Sequence, residues 1–161
     1  MSHDKSSIWH HGAVRIHVLV VAALLGAALA SPSARAHGGP GVPVAIQPGL
    51  RSVTIEMDDS MRYRPSVIHA KRGEALRIVG INHGRLAHEI VLGTREELEA
   101  HRLHMREHPG MVHDDPNMME VPPGATREMG WRFTSAGDFL YGCLMPGHYE
   151  AGMVGKIVVE P

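Results

Sequence analysis

Cysteine is almost missing from this chain: among 161 residues only Cys143 carries a thiol. A single cysteine excludes an internal disulfide, so packing and hydrogen bonds alone must hold the fold. It also excludes a lipid-anchoring cysteine behind the N-terminal apolar run. Positive charge is not in excess either, with 16 basic against 17 acidic side chains. That balance argues against a nucleic-acid surface, which requires a basic face. Past residue 36 lysine is reduced to Lys71 and Lys156. Apart from the N-terminal run, no apolar stretch is long enough to cross a bilayer, and no internal repeat is present.

What is there begins with a leader. Lys5 and Arg15 precede the apolar segment from Val18 to Ala30, and Ala34-Arg35-Ala36 supplies a small-x-small cleavage pattern. This is the layout of a secretory signal peptide over residues 1–36, and its apolar core is short for a membrane span. Cleavage after Ala36 leaves 13 basic and 16 acidic side chains, a net charge of −3. The expectation is a product exported to the periplasm, with no stable membrane span after cleavage. A lone thiol in an oxidising compartment is a liability unless it is buried or ligated.

Residues 37–49 are rich in glycine and proline and are expected to be an extended leader, followed by one domain over 50–161. Val53, Ile55 and Met57 alternate with polar residues, a period-two strand signal. Further strands are expected at 66–70, 75–82, 87–92, 126–133, 137–143 and 155–159. Short strands at this spacing, punctuated by glycine and proline, predict an all-β sandwich. One helix interrupts it. Thr94-Arg95-Glu96-Glu97 has the capping-box form, and good helix formers run from there to about Glu107. Residues 110–124 are expected to be a long polar loop.

The chemistry concentrates near the C-terminus, where Cys143, His148 and Met153 are spaced Cys-x4-His-x4-Met. Thiolate, imidazole and thioether together favour copper, and a trigonal two-histidine, one-cysteine site with a long axial methionine needs one more histidine. Zinc fits less well, because it seldom takes methionine. His88, which opens a strand after the Asn82–Arg85 turn, is the first candidate for the fourth ligand. His83 in the turn and His69 on a strand are the others. Met145, inside the loop, is expected to pack over the site.

The Asn-turn-His segment around His88 and the Cys-x4-His-x4-Met loop before a final strand resemble the cupredoxins, the family of plastocyanin, azurin and rusticyanin. The similarity spans about residues 52–160, most of the exported domain. It implies a Greek-key β-sandwich, here with one inserted helix and a Met/His-rich loop. It implies one type 1 copper site, with His88, Cys143 and His148 as equatorial ligands and Met153 as axial ligand. Plastocyanin and azurin place an asparagine directly after the strand histidine, tying the two ligand segments together, whereas this chain has Glu89. Three outcomes are open: Asn82 supplies the tie, Glu89 supplies it, or there is none. A single cysteine also sets the chain apart from the binuclear centre of cytochrome oxidase, which needs two.

A second feature is the run of His101, His104, Met105, His108, Met111, His113, Met118 and Met119. It is either an additional set of weak copper sites or a solvated helix face followed by packing methionines. Within the family the chain looks most like periplasmic copper-tolerance proteins that carry such segments. His37, as a free N-terminus, is a further candidate copper chelator. Two functions follow as expectations. One is a non-enzymatic single-electron carrier with a redox or copper-handling protein as partner. The other is a copper-sequestering tolerance protein with extra Met/His sites.

Overall fold

The structure is a computed structural model that describes residues 40–108 and 114–161. The proposed signal peptide, His37, Met111 and His113 lie outside those residues. Among the described residues there are ten strands and one helix: β1 (Gly41–Pro43), β2 (Arg51–Asp58), β3 (Arg62–Arg64), β4 (Val67–Lys71), β5 (Ala75–Asn82), β6 (His88–Gly93), α1 (Arg95–Glu107), β7 (Met118–Val121), β8 (Thr126–Phe133), β9 (Gly137–Gly142) and β10 (Val154–Glu160). They form two five-stranded sheets, in the orders β1-β8-β5-β2-β3 and β4-β10-β9-β6-β7. The pairs β2–β5 and β4–β10 are parallel and the rest antiparallel.

Period-two patterning explains the layering. Along β5 every second residue, Leu76, Ile78, Gly80 and Asn82, is buried, and β2 buries Ile55 and Met57 in the same way. These residues meet Trp131 and Phe133 of β8 and Tyr141 of β9 in one core between the sheets. Each large apolar side chain fully withdrawn from water contributes about 1.5–3 kcal/mol. All six residues of β6 are buried, because α1 covers the outer face of that strand. Leu98 of the helix packs there with Val91 and Leu144.

The helix starts as the sequence predicts. Thr94 Oγ1 accepts from the Glu97 N–H at 3.2 Å, and Glu97 Oε2 accepts from the Thr94 N–H at 2.8 Å. Leu98 is its one fully buried residue, so apolar packing anchors it at the N-terminal end.

Three short strands depart from expectation. In the leader, β1 pairs with β8; an extended backbone can join a sheet edge whatever its glycine and proline content. Strand β3 occupies part of the turn region after β2 and sends Tyr63 into the core. The expected polar loop over residues 110–124 is corrected most. Met118–Val121 forms β7, pairs with β6, and turns Met119 and Val121 inward.

Candidate metal centre

The loop between β9 and β10 is built by its own hydrogen bonds. The His148 N–H donates to the Met145 carbonyl at 3.0 Å, closing a turn over Pro146-Gly147. Gly147 has φ 88°, the left-handed value that a type II turn demands at its third residue, with proline favoured just before it. The Cys143 N–H donates to the Met153 carbonyl, and the Met153 N–H to the His148 carbonyl, both at 3.1 Å. The two four-residue intervals are thus backbone geometry as well as sequence spacing.

Strand β6 brings the remaining candidate. Val91 lies opposite Gly142 in the antiparallel β6–β9 pair, which sets the start of β6 beside the residues that follow Gly142. His88 Nδ1 comes to 3.3 Å from His148 Nδ1, and that nitrogen lies 3.2 Å from Cys143 Sγ. All three donor atoms fall within 4.8 Å of one another. These are separations that one metal ion spans with bonds of about 2.0–2.3 Å. Cys143 and His88 are fully buried and His148 is half-buried, so the group opens to solvent through His148. Met153 is buried in the same core cluster as Cys143, with its main chain bonded to both Cys143 and His148.

The electrostatics suit a soft cation. Burial pushes the Cys143 thiol up to about 12, while the backbone N–H groups of Glu89 and Met145 act in the opposite sense. Burial holds both imidazoles below their ordinary range, helped at His88 by the nearby His148. The two rings are therefore neutral donors at neutral pH. A metal ion has one proton to displace, from sulfur.

Glu89 supplies the tie between the ligand segments. Its Oε2 accepts from the Leu144 N–H at 3.2 Å, and its backbone carbonyl accepts from the Tyr63 hydroxyl. Asn82 acts elsewhere: its Nδ2 donates to the carbonyls of Leu86 at 2.7 Å and Val121 at 3.0 Å, and its Oδ1 accepts from the Gly84 N–H at 2.8 Å. It shapes the turn that leads into His88. Sequence reasoning missed Tyr63 and also Asp59, whose Oδ1 lies 3.8 Å from His88 Nε2. Neither belongs to a motif, and only the pairing of β2 with β3 and β5 delivers them here.

The other candidates stay apart. His83 is exposed, with Nε2 3.9 Å from Glu56 Oε2, and His69 is exposed on β4. Met145 packs against the core cluster. At the end of α1 the rings of His104 and the C-cap residue His108 stack with centroids 4.5 Å apart, and His101 Nδ1 lies 3.7 Å from Asp115 Oδ2. Met118 packs beside Leu98 and Leu144, and Met119 joins the main core. Those two methionines are thus packing residues.

A two-sheet β-sandwich with histidine, cysteine and histidine gathered at one end defines the class of cupredoxin-type copper-binding proteins. The chain belongs to the copper binding proteins of the plastocyanin/azurin family, whose model matches residues 51–160. It is 48% identical over 124 residues to the copper-resistant cuproprotein CopI of Rubrivivax gelatinosus, covering 77% of this chain and 73% of that protein. Its identity to the CopI of Pseudomonas aeruginosa is 35% over 175 residues, covering 89% and 94%. Among solved structures it resembles auracyanin B, with a TM-score of 0.63 at 22% identity, over 78% of this chain and all of that one; at that identity the likeness shows the fold alone. The residues present fit the family's metal, since a thiol and two neutral imidazoles facing one point are a copper donor set.

Proposed function

We propose that the chain holds one copper ion through His88, Cys143, His148 and Met153, and passes single electrons in periplasmic copper handling. The observation that carries this reading is the convergence of His88 Nδ1, His148 Nδ1 and Cys143 Sγ within 4.8 Å. Copper supplies the one-electron change between Cu(II) and Cu(I). The chain's part is to keep the donors still: β6 fixes His88, the hydrogen-bonded loop fixes the other three, and Glu89 joins the two segments. Donors already in place need little rearrangement when the charge changes, which favours rapid transfer. The partially open His148, flanked by exposed Pro146 and half-buried Met145, is the contact point for a protein redox partner in a small, transient interface. The CopI relatives are named for copper resistance, which supports a place in copper tolerance.

Protein-film voltammetry of the copper-loaded chain tests the reading. A reversible one-electron couple is expected, and copper binding without any such couple overturns electron transfer.

A second reading, copper sequestration, draws on the exposed, stacked rings of His104 in α1 and His108 at its C-cap. It predicts more than one copper per chain, with the additional ions lost when His101, His104, Met105 and His108 are all replaced by alanine. A stoichiometry of one removes it.

A further inference from the structure

The metal-facing histidine has a second nitrogen. His88 Nδ1 points at the donor cluster, so its proton must reside on Nε2 when Nδ1 binds a metal. That Nε2 is buried and has no hydrogen-bond partner. A buried N–H without an acceptor is costly, and metal-bound histidines nearly always donate their other N–H to a carboxylate, carbonyl or water. The group facing Nε2 is the carboxylate of Asp59, at 3.8 Å.

Asp59 is held in that place independently of any metal. Its Oδ1 accepts from the N–H groups of Arg85 at 2.9 Å and Leu86 at 3.1 Å, and its Oδ2 lies 3.1 Å from the same Arg85 nitrogen. These bonds clip the β2–β3 turn onto the turn before His88. The His83 N–H, donating to the Met57 carbonyl at 2.9 Å, is a second clip between them. A Cβ at Gly84 would come 2.1 Å from Asp59 Oδ1, so the carboxylate occupies space that only glycine leaves. Its neighbour Asp58 is used differently, accepting from Ser60 within its own turn.

We propose that Asp59 is the positioning residue of the copper site: its carboxylate takes the Nε2–H of His88, fixes the tautomer and ring orientation, and favours Cu(II) over Cu(I). The proposal rests on His88 being a ligand. An anion behind the imidazole makes Nδ1 a stronger donor, and its charge stabilises the more positive metal state more than the other. Asp59 touches neither the metal nor a redox partner; it acts through His88.

The test first requires the wild-type chain to show thiolate-to-copper absorption and a one-electron couple; failure there overturns the ligand assignment, not the role of Asp59. In a crystal structure of the copper-loaded wild type, the Nε2–Oδ1 distance is expected to close from 3.8 Å to about 2.7–3.2 Å. A backbone carbonyl or a water in place of Asp59 overturns the proposal. In Asp59→Asn the amide oxygen can still accept from Arg85 and Leu86, so the turn is kept while the charge is lost. The ratio of Cu(II) to Cu(I) affinity is then expected to fall about tenfold, a rise of about 59 mV in reduction potential. An unchanged potential in an Asp59→Asn chain with wild-type melting behaviour reduces Asp59 to a turn-holding role and overturns the proposal.

Discussion

At one end of the sandwich, His88, Cys143 and His148 come from two separate elements and place three donor atoms within 4.8 Å. Along α1 and its C-cap, His101, His104, Met105 and His108 come from one stretch of chain and spread over one side. The side-chain chemistry is similar in the two regions, but the constraint differs. In the first set His88 and Cys143 are buried and His148 half-buried, and it is crossed by hydrogen bonds among Cys143, Met153, His148, Glu89 and Leu144 and backed by a full core. In the second, His104 and His108 are exposed and His101 and Met105 half-buried, on a helix with one buried residue and its cap. Ligand type names a metal, and only donors carried by different rigid elements make a site that keeps its shape.

The largest expected effect breaks the comparison at its strong end. His148→Ala removes one of the converging donors, and copper affinity in a competition titration should fall more than about a hundredfold, because losing a residue behind a ligand alone costs about 10–100-fold. Replacing His101, His104, Met105 and His108 together should leave that tight affinity unchanged. Equal losses in both variants would erase the distinction between the regions.

Glu89→Ala should come next. It strips the buried Leu144 N–H of its acceptor, a loss of about 1–3 kcal/mol that chemical denaturation of the metal-free chain can measure. Glu89→Gln retains an amide oxygen for that bond and should recover most of the stability. If both variants behave alike, the tie is not a hydrogen bond.

The pH dependence sharpens the same point. With the thiol pushed up to about 12 and the imidazoles held below their ordinary range, copper displaces one proton above neutrality. Apparent affinity should therefore rise about tenfold per pH unit between about pH 7 and 9. A flat profile would mean that the sulfur is already a thiolate, or is not a ligand.

The smallest effect belongs to the helix. Thr94→Ala removes the side chain that caps α1 and should cost about 1 kcal/mol while leaving the copper spectrum in place. A shifted spectrum would show that α1 supports the loop, through Leu98 against Leu144 or Arg102 against Glu150 at 2.7 Å.

Much of this was legible before any coordinates. The alternation in β2 and β5, the Thr94–Glu97 capping box and the Cys-x4-His-x4-Met loop are local signals, with residue type and spacing in one stretch of chain. Choosing His88 over His83 and His69 needed the family resemblance, and the structure brings His88 alone of these to the cysteine. Strands β1, β3 and β7 were not legible, because each is short and exists through its partner strand. The choice between copper binding and packing for Met118 and Met119 stayed open for the same reason: inward alternation over four residues is visible only once β6 lies alongside. Asp59 and Tyr63 reach the site through sheet register, which no short motif encodes.

The most direct measurement is the visible absorption spectrum during titration with Cu(II), for the wild type, Cys143→Ser and the four-residue helix variant. Intense thiolate-to-copper absorption should saturate at one equivalent in the wild type and the helix variant and be absent in Cys143→Ser. A wild type without that absorption, or absorption that vanishes with the helix histidines, would contradict the account.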